Sequence, residues 1–410
     1  MPRSLTFLPL LALAAAATGC GDAGFGSETS DITDVKHTPV ERQSIGNCWL
    51  YAQASWIESM NYTATGEAFD VSQSYWTYWH WFDQIRDGWS DKIETGGSQW
   101  VANGIIRERG LMAELDFVAE DATNEMSFRQ KSALDAVNLE LDSGRLSSSA
   151  ARADGALVRD VLDEAWGLSG ELVGELDAVF GEDGGRTLDE SADPSGSTVI
   201  AAEDFPVAYT ARKNGVTVPR STHLGTAMSE WRTASYPSSA TTRRSFQIRV
   251  QRALHDRQPV VITWNVDFNA MENGQNELRG SFNLKTLANA GGPGRQGGHM
   301  TVLEDYEAVT QAYGVLAAGV TLDPSKPEDA KKLEAALASS TTLRFFRIKN
   351  SWGSLRDDRA FAPGFPGYHD LYSDYLNGPI RWCPSVDNKT TENCTSKATP
   401  LRNVILPPGY

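Results

Sequence analysis

Three short segments, far apart along the chain, constrain what this sequence can fold into. Gln43-Ser44-Ile45-Gly46-Asn47-Cys48-Trp49 leads into apolar residues spaced by three and four, from Trp49 and Leu50 to Trp56, Ile57 and Met60. That spacing predicts a helix with one buried face and places Cys48 at its first turn. Gly297-Gly298-His299 enters the strand-like run Met300-Thr301-Val302-Leu303, and Phe345 to Lys349 runs as a strand into Asn350-Ser351-Trp352-Gly353. A thiol, an imidazole and a side-chain amide can act together only if the start of that helix meets the ends of both strands. The fold has to close 251 residues from Cys48 to His299 and 51 more to Asn350, and helical patterns that give way to strand-like runs after about residue 245 read as a mixed α+β architecture.

A thiol at neutral pH is mostly protonated, and the thiolate is the nucleophile. Unpaired amides at a helix start favour negative charge, and a nearby imidazole can accept the thiol proton. Both effects predict a lowered pKa for Cys48. His299 is the candidate base. Of the remaining histidines, His37, His80, His223, His255 and His369, none has the Gly-Gly-His strand entry. Asn350 suits the role of fixing the imidazole tautomer, with Trp352 as a shield. The backbone N–H of Cys48 and the side-chain amide of Gln43 are candidate donors for an oxyanion.

At 410 residues, with 40% hydrophobic content, the chain can bury a large core. Its formal net charge of −16 disfavours phosphate backbones, so nucleic acid is not an expected partner. No Cys/His cluster has metal-ligand spacing, no glycine-rich phosphate loop occurs, and no metal or organic cofactor is expected. Leu5 to Ala17 is apolar and ends in Ala17-Thr18-Gly19-Cys20, which resembles a bacterial lipobox. Residues 1–19 are thus expected as a signal segment, Cys20 as the lipidated residue, and 20–39 as a flexible tether at the cell envelope. An ordinary secretory signal is the alternative. Export favours a disulfide between Cys383 and Cys394 in a C-terminal loop, 383–410. A helical insert is expected at about 120–245, with helices over Phe128 to Leu141 and Ser149 to Trp166. An acidic solvated loop follows over Gly181 to Ser197. Ser325-Lys326-Pro327-Glu328 reads as a capping box.

The order Gln43, Cys48-Trp49, Gly96-Gly97, Gly298-His299, Asn350-Ser351-Trp352-Gly353 resembles the papain-like cysteine peptidases. Ser72-Gln73-Ser74-Tyr75, Gly96-Gly97-x-x-Trp100 and Glu108-Arg109-Gly110 are similar to the bleomycin hydrolase and aminopeptidase C branch. The resemblance runs from about Val40 to Trp382, so residues 40–382 are expected as the peptidase domain. It implies a two-lobed fold, one lobe helical with Cys48 and one antiparallel and barrel-like with His299 and Asn350. It also implies that Gly96 and Gly97 bind an extended substrate backbone, and that the substrate is a peptide. The family places its Gln six residues before the Cys, whereas here the separation is five. A cell-wall peptide amidase and a non-catalytic protein that kept the groove are the rival readings.

Overall fold

The computed structural model describes residues 35–36, 38–88, 91–191, 197–320, 322–383 and 396–410. The expected signal segment, Cys20, the tether up to residue 34, and Cys394 lie outside the described residues.

Helices dominate the first part of the chain. α1 (Cys48–Thr65), α2 (Gln73–Asp87) and α3 (Gln99–Arg109) are followed by helices at Phe128–Asp142, Gly155–Trp166 and Gly170–Phe180. Their starts follow from side-chain caps. The hydroxyls of Ser72, Ser98, Ser127 and Ser169 each accept a backbone N–H three residues on. α1 and α2 stop at left-handed Gly66 and Gly88. The helix expected over Ser149 to Trp166 divides because Asp154 turns out of it and caps a new helix at Leu157. α1 is buried on all sides from Cys48 to Asn61, not on one face as its spacing predicts. Other elements wrap it completely, so its polar positions are interior too.

Beyond Phe180 the insert mixes strands with helix. Next come a hairpin of β1 (Pro206–Lys213) and β2 (Val216–His223), a short helix at Leu224–Glu230, then β3 (Arg232–Ser235) and a helix at Ala240–His255. The acidic stretch after Phe180 is also held in place. Arg109 donates to the carbonyls of Gly184 and Arg186, and Leu188 is buried.

The remaining strands are β4 (Val260–Asp267), β5 (Ser281–Phe282), β6 (Gln296–Thr310), β7 (Gly314–Leu316), β8 (Thr342–Lys349), β9 (Tyr368–Tyr372), β10 (Ile380–Arg381), β11 (Lys397–Ala398) and β12 (Leu401–Leu406). One sheet runs β3-β12-β4-β6-β8-β9-β5, with β7 on β6. Its pairs are antiparallel except β5 on β9, which is parallel and departs from the all-antiparallel expectation. The helix at Pro327–Ala336 opens without a side-chain cap. Ser325 turns its hydroxyl to Asp323 instead, so the expected capping box does not form.

The sheet is buried on both faces, which is why β4 reads Val260-Val261-Ile262-Thr263-Trp264 without polar alternation. Successive side chains go to opposite clusters. Val261, Met300, Val302 and Ile405 join α1, α2 and the other helices. Ile262, Trp264, Leu303 and Val404 join a second cluster with Phe282, Trp352 and Tyr375.

Two expected boundaries move. Val35 and Thr38 are buried, so the expected tether is already part of the fold there. The described part of the expected C-terminal loop, residues 396–410, is not a loop throughout, because β12 is interior to the sheet, between β3 and β4. Beyond it Tyr410 donates its hydroxyl to Asp256 and sits beside Arg212.

Candidate active site

α1 begins abruptly because Asn47 has other business. Its side-chain amide donates to Thr77 on α2 and to Gln130, at 3.1 and 3.0 Å, and makes no cap. The first-turn amides of α1 are therefore left to the sulfur. The backbone N–H groups of Met300, Trp49 and Cys48 all lie against the Cys48 thiol and favour its anion. Met300 follows His299 directly on β6, so the sulfur meets the backbone of β6 next to the candidate base.

His299 Nε2 lies 2.7 Å from Asn350 Oδ1, and the N–H of Ser351 donates to the same oxygen at 2.9 Å. A backbone N–H has to meet an acceptor, so the amide orientation is fixed. The imidazole then carries its proton on Nε2 and leaves Nδ1 free as a base. Trp352 stacks on the ring with centroids 4.9 Å apart and planes 24° apart. Trp264, across the strand pair, meets the ring edge-on.

Burial governs both titrations. It pushes the Cys48 thiol up to about 11, and the three amides only partly oppose it. It pulls His299 down to about 4, with Asn350 opposing and Arg359 assisting. Burial disfavours the charged form of each group taken by itself. The lowered thiol pKa expected from the helix start is thus corrected: desolvation outweighs the amides.

Gln43 is drawn into the same place. Its Nε2 donates to Ile45 O, and its Oε1 accepts the Ser351 hydroxyl, both at 2.7 Å. One Nε2 hydrogen is left over. Gly96 and Gly97 are exposed and lie beside Trp49. A Cβ on Gly97 would come within 2.4 Å of the Trp49 ring, whereas Gly96 has open space. Trp49 Nε1 donates to Thr95 O, and His80 donates to the Gly96 carbonyl, which gives that buried histidine its structural use. Cys48 is 8% and His299 5% exposed, so exposed glycines 46, 96, 97 and 298 form the visible rim. His255 stacks on Tyr306, His223 caps a helix and His369 bonds Gly280 O, so none of them competes for the base position.

Two groups of residues carried no sequence signal. Lys349, just before Asn350, is buried and donates to Thr38 and to Ser55 of α1. Glu58 accepts from Thr38 and from Val71 N, and Glu41 accepts from Gln73. This network ties the strand bearing Asn350 to the helix bearing Cys48. The other group is a set of arginines gathered near Arg359, which lies over Trp352: Arg42, Arg295 and Arg356. Among the described residues Cys48 is the free cysteine and no group of acidic, His and Cys side chains could hold a metal. Cys383 is disulfide-bonded, and Cys394, its expected partner, lies outside the described residues.

No family model matches the chain, and no curated protein matches it. Among solved structures it is similar to xylellain, a cysteine protease from Xylella fastidiosa, at 12% identity and a TM-score of 0.36. The match covers 93% of this chain and 86% of that one. So remote a likeness is no argument for fold or activity.

Proposed function

We propose that this chain is a cysteine peptidase of papain-like, two-lobed design, related to the bleomycin hydrolase and aminopeptidase C branch. It hydrolyses peptide bonds at the bacterial cell envelope, where lipid on Cys20 holds it. The observation that carries the reading is the Nε2-to-Asn350 bond under Trp352, with the adjacent Met300 amide against the Cys48 sulfur.

The chemistry follows from those contacts. A peptide lies extended along Gly96 and Gly97, and its carbonyl carbon approaches the sulfur. As the S–C bond forms, the thiol proton passes to His299 Nδ1, so neither the buried thiolate nor the buried imidazolium has to exist alone. The Cys48 N–H and the remaining Gln43 Nε2 hydrogen hold the oxyanion. The imidazolium then protonates the leaving amine, the C–N bond breaks, and a thioester remains. Water, deprotonated by Nδ1, releases the acid and restores the thiol. Asn350 keeps the ring in the tautomer that every step needs.

In the branch named above a C-terminal arm lies in the groove and restricts cleavage to chain ends. Residues 401–410 have no such place here, since they form a sheet strand and a tail on Arg212 and Asp256.

A thiol-directed epoxide or iodoacetamide should label Cys48, and Cys48→Ala should abolish peptide hydrolysis. Undiminished turnover by that variant would remove the proposal. Purified cell wall and an unfolded protein, offered side by side, separate it from an amidase.

A further inference from the structure

Four arginines converge on the side of the site occupied by the base. The Arg359 guanidinium lies 4.1 Å from the Trp352 ring centroid and 5.0 Å from that of Phe268. Arg295 lies 4.5 Å from Phe268, which stacks on Trp352 at 5.6 Å. Trp352 in turn stacks on His299. Arg42 pairs its backbone with Trp352 and shares an open groove of about 390 Å³ with Leu355, Arg356, Asp357 and Asp358.

Their charge is poorly neutralised. Asp358 is committed to Arg356 by two hydrogen bonds of 2.7 and 2.8 Å and lies 3.7 Å from Arg359. Among the described residues Arg42 and Arg295 have no carboxylate partner within ion-pair distance. Burial and the neighbouring Arg356, Arg295 and Arg42 bring Arg359 down to about 10. A chain of net charge −16 gathers cations here against its own balance. Guanidinium groups that repel one another and keep free N–H donors are suited to a planar anion.

The position says which part of a substrate would meet them. The leaving amine has to sit where the imidazole can protonate it. The segment beyond the scissile bond therefore passes His299 and Trp352, while Gly96 and Gly97 take the other segment. We infer that the leaving-group side of this site recognises a carboxylate of the substrate, held chiefly by Arg359 and Arg295. The inference rests on the peptidase reading. The carboxylate comes from an acidic side chain or from the free C-terminus of a substrate that ends there.

The test uses one peptide series with a constant acyl side. Its leaving side carries Glu, Gln or Lys, each with a free or an amidated C-terminus. kcat/KM is measured for the intact protein, Arg295→Gln and Arg359→Gln, and binding of the same peptides to Cys48→Ala is measured by calorimetry. The expected preference for a carboxylate is about tenfold over its neutral counterpart, falling to near one in both arginine variants. A Glu-over-Gln preference assigns the side chain, and a free-over-amidated preference assigns the terminus. Equal values across the series, or a preference unchanged in both variants, would overturn the inference. Failure of the peptidase reading looks different: no peptide is turned over, while calorimetry still reports whether carboxylates are preferred.

Discussion

A proton added to His299 would be almost unhydrated, because the residue is 5% exposed, with its ring stacked by Trp352 and met edge-on by Trp264. Burial, with Arg359, lowers its pKa from 6.5 to about 4. On the proposed mechanism the base has to be neutral to act, so activity survives acidification until the pH reaches that value. The expected kcat/KM on an uncharged peptide is level from neutrality to about pH 5 and falls as the pH passes through about 4. A limb near 6.5 would mean that the imidazole is solvated. Asn350 opposes the burial effect, so Asn350→Ala should move the limb lower still and reduce kcat/KM by roughly 10².

At the scale of elements, the approach of residues 95–97 to α1 sets the rim. Gly97→Ala drives a methyl into the Trp49 ring, and overpacking of this kind costs about 1–3 kcal/mol. Gly96→Ala meets open space and should stay within about 0.5 kcal/mol. Urea-unfolding midpoints for the two variants check the contrast. Equal midpoints would mean that Trp49 does not hold the position described. The same elements show how far local pattern reaches. The spacing in Trp49 to Met60 announces the helix α1 but not its burial on every side, and the unbroken apolar run from Val260 announces the doubly covered strand β4. β2 is exposed along most of its length and carries no such signal. The Ser325 motif fails because the helix opens at Pro327 with Lys326 at its cap position, one residue beyond Ser325, whose hydroxyl donates to Asp323.

Across the whole molecule, Glu58 of α1 joins a segment near the described beginning to β8 near the end. Thr38 bonds both Glu58 and Lys349. Burial first, then Asp70, raises Glu58 from 4.5 to about 7, with Lys349 opposing. A raised carboxyl favours the folded state while protonated. Its contribution is complete below about pH 4.5 and is lost as the pH rises through about 7. The expected outcome is a melting temperature that declines between pH 5 and pH 8 in the intact protein and declines less in Glu58→Gln. Calorimetry across that range checks it, and parallel declines would show that Glu58 does not titrate there. Sheet order belongs to this scale too. β12 enters between β3 and β4, and nothing in Leu401 to Leu406 says that its partners lie about 140 to 170 residues earlier.

The sequence by itself determined the local pieces: a helix opening at Cys48, a strand after His299 that the structure extends back to Gln296, a strand running up to Asn350, and a break in pattern at Gly96-Gly97. Each is written in neighbouring residues, through periodicity, glycine freedom and capping. Only the tertiary structure decided that Nε2 meets Oδ1 and that α1 is wrapped on every side. Only it decided that Lys349 bridges to Ser55, that three arginines gather near Arg359 beside Trp352, and that burial disfavours the charged forms of the thiol and of the imidazole. Those are contacts and desolvation between residues distant in the chain, and no local pattern encodes the solvent a side chain loses when a remote segment closes over it.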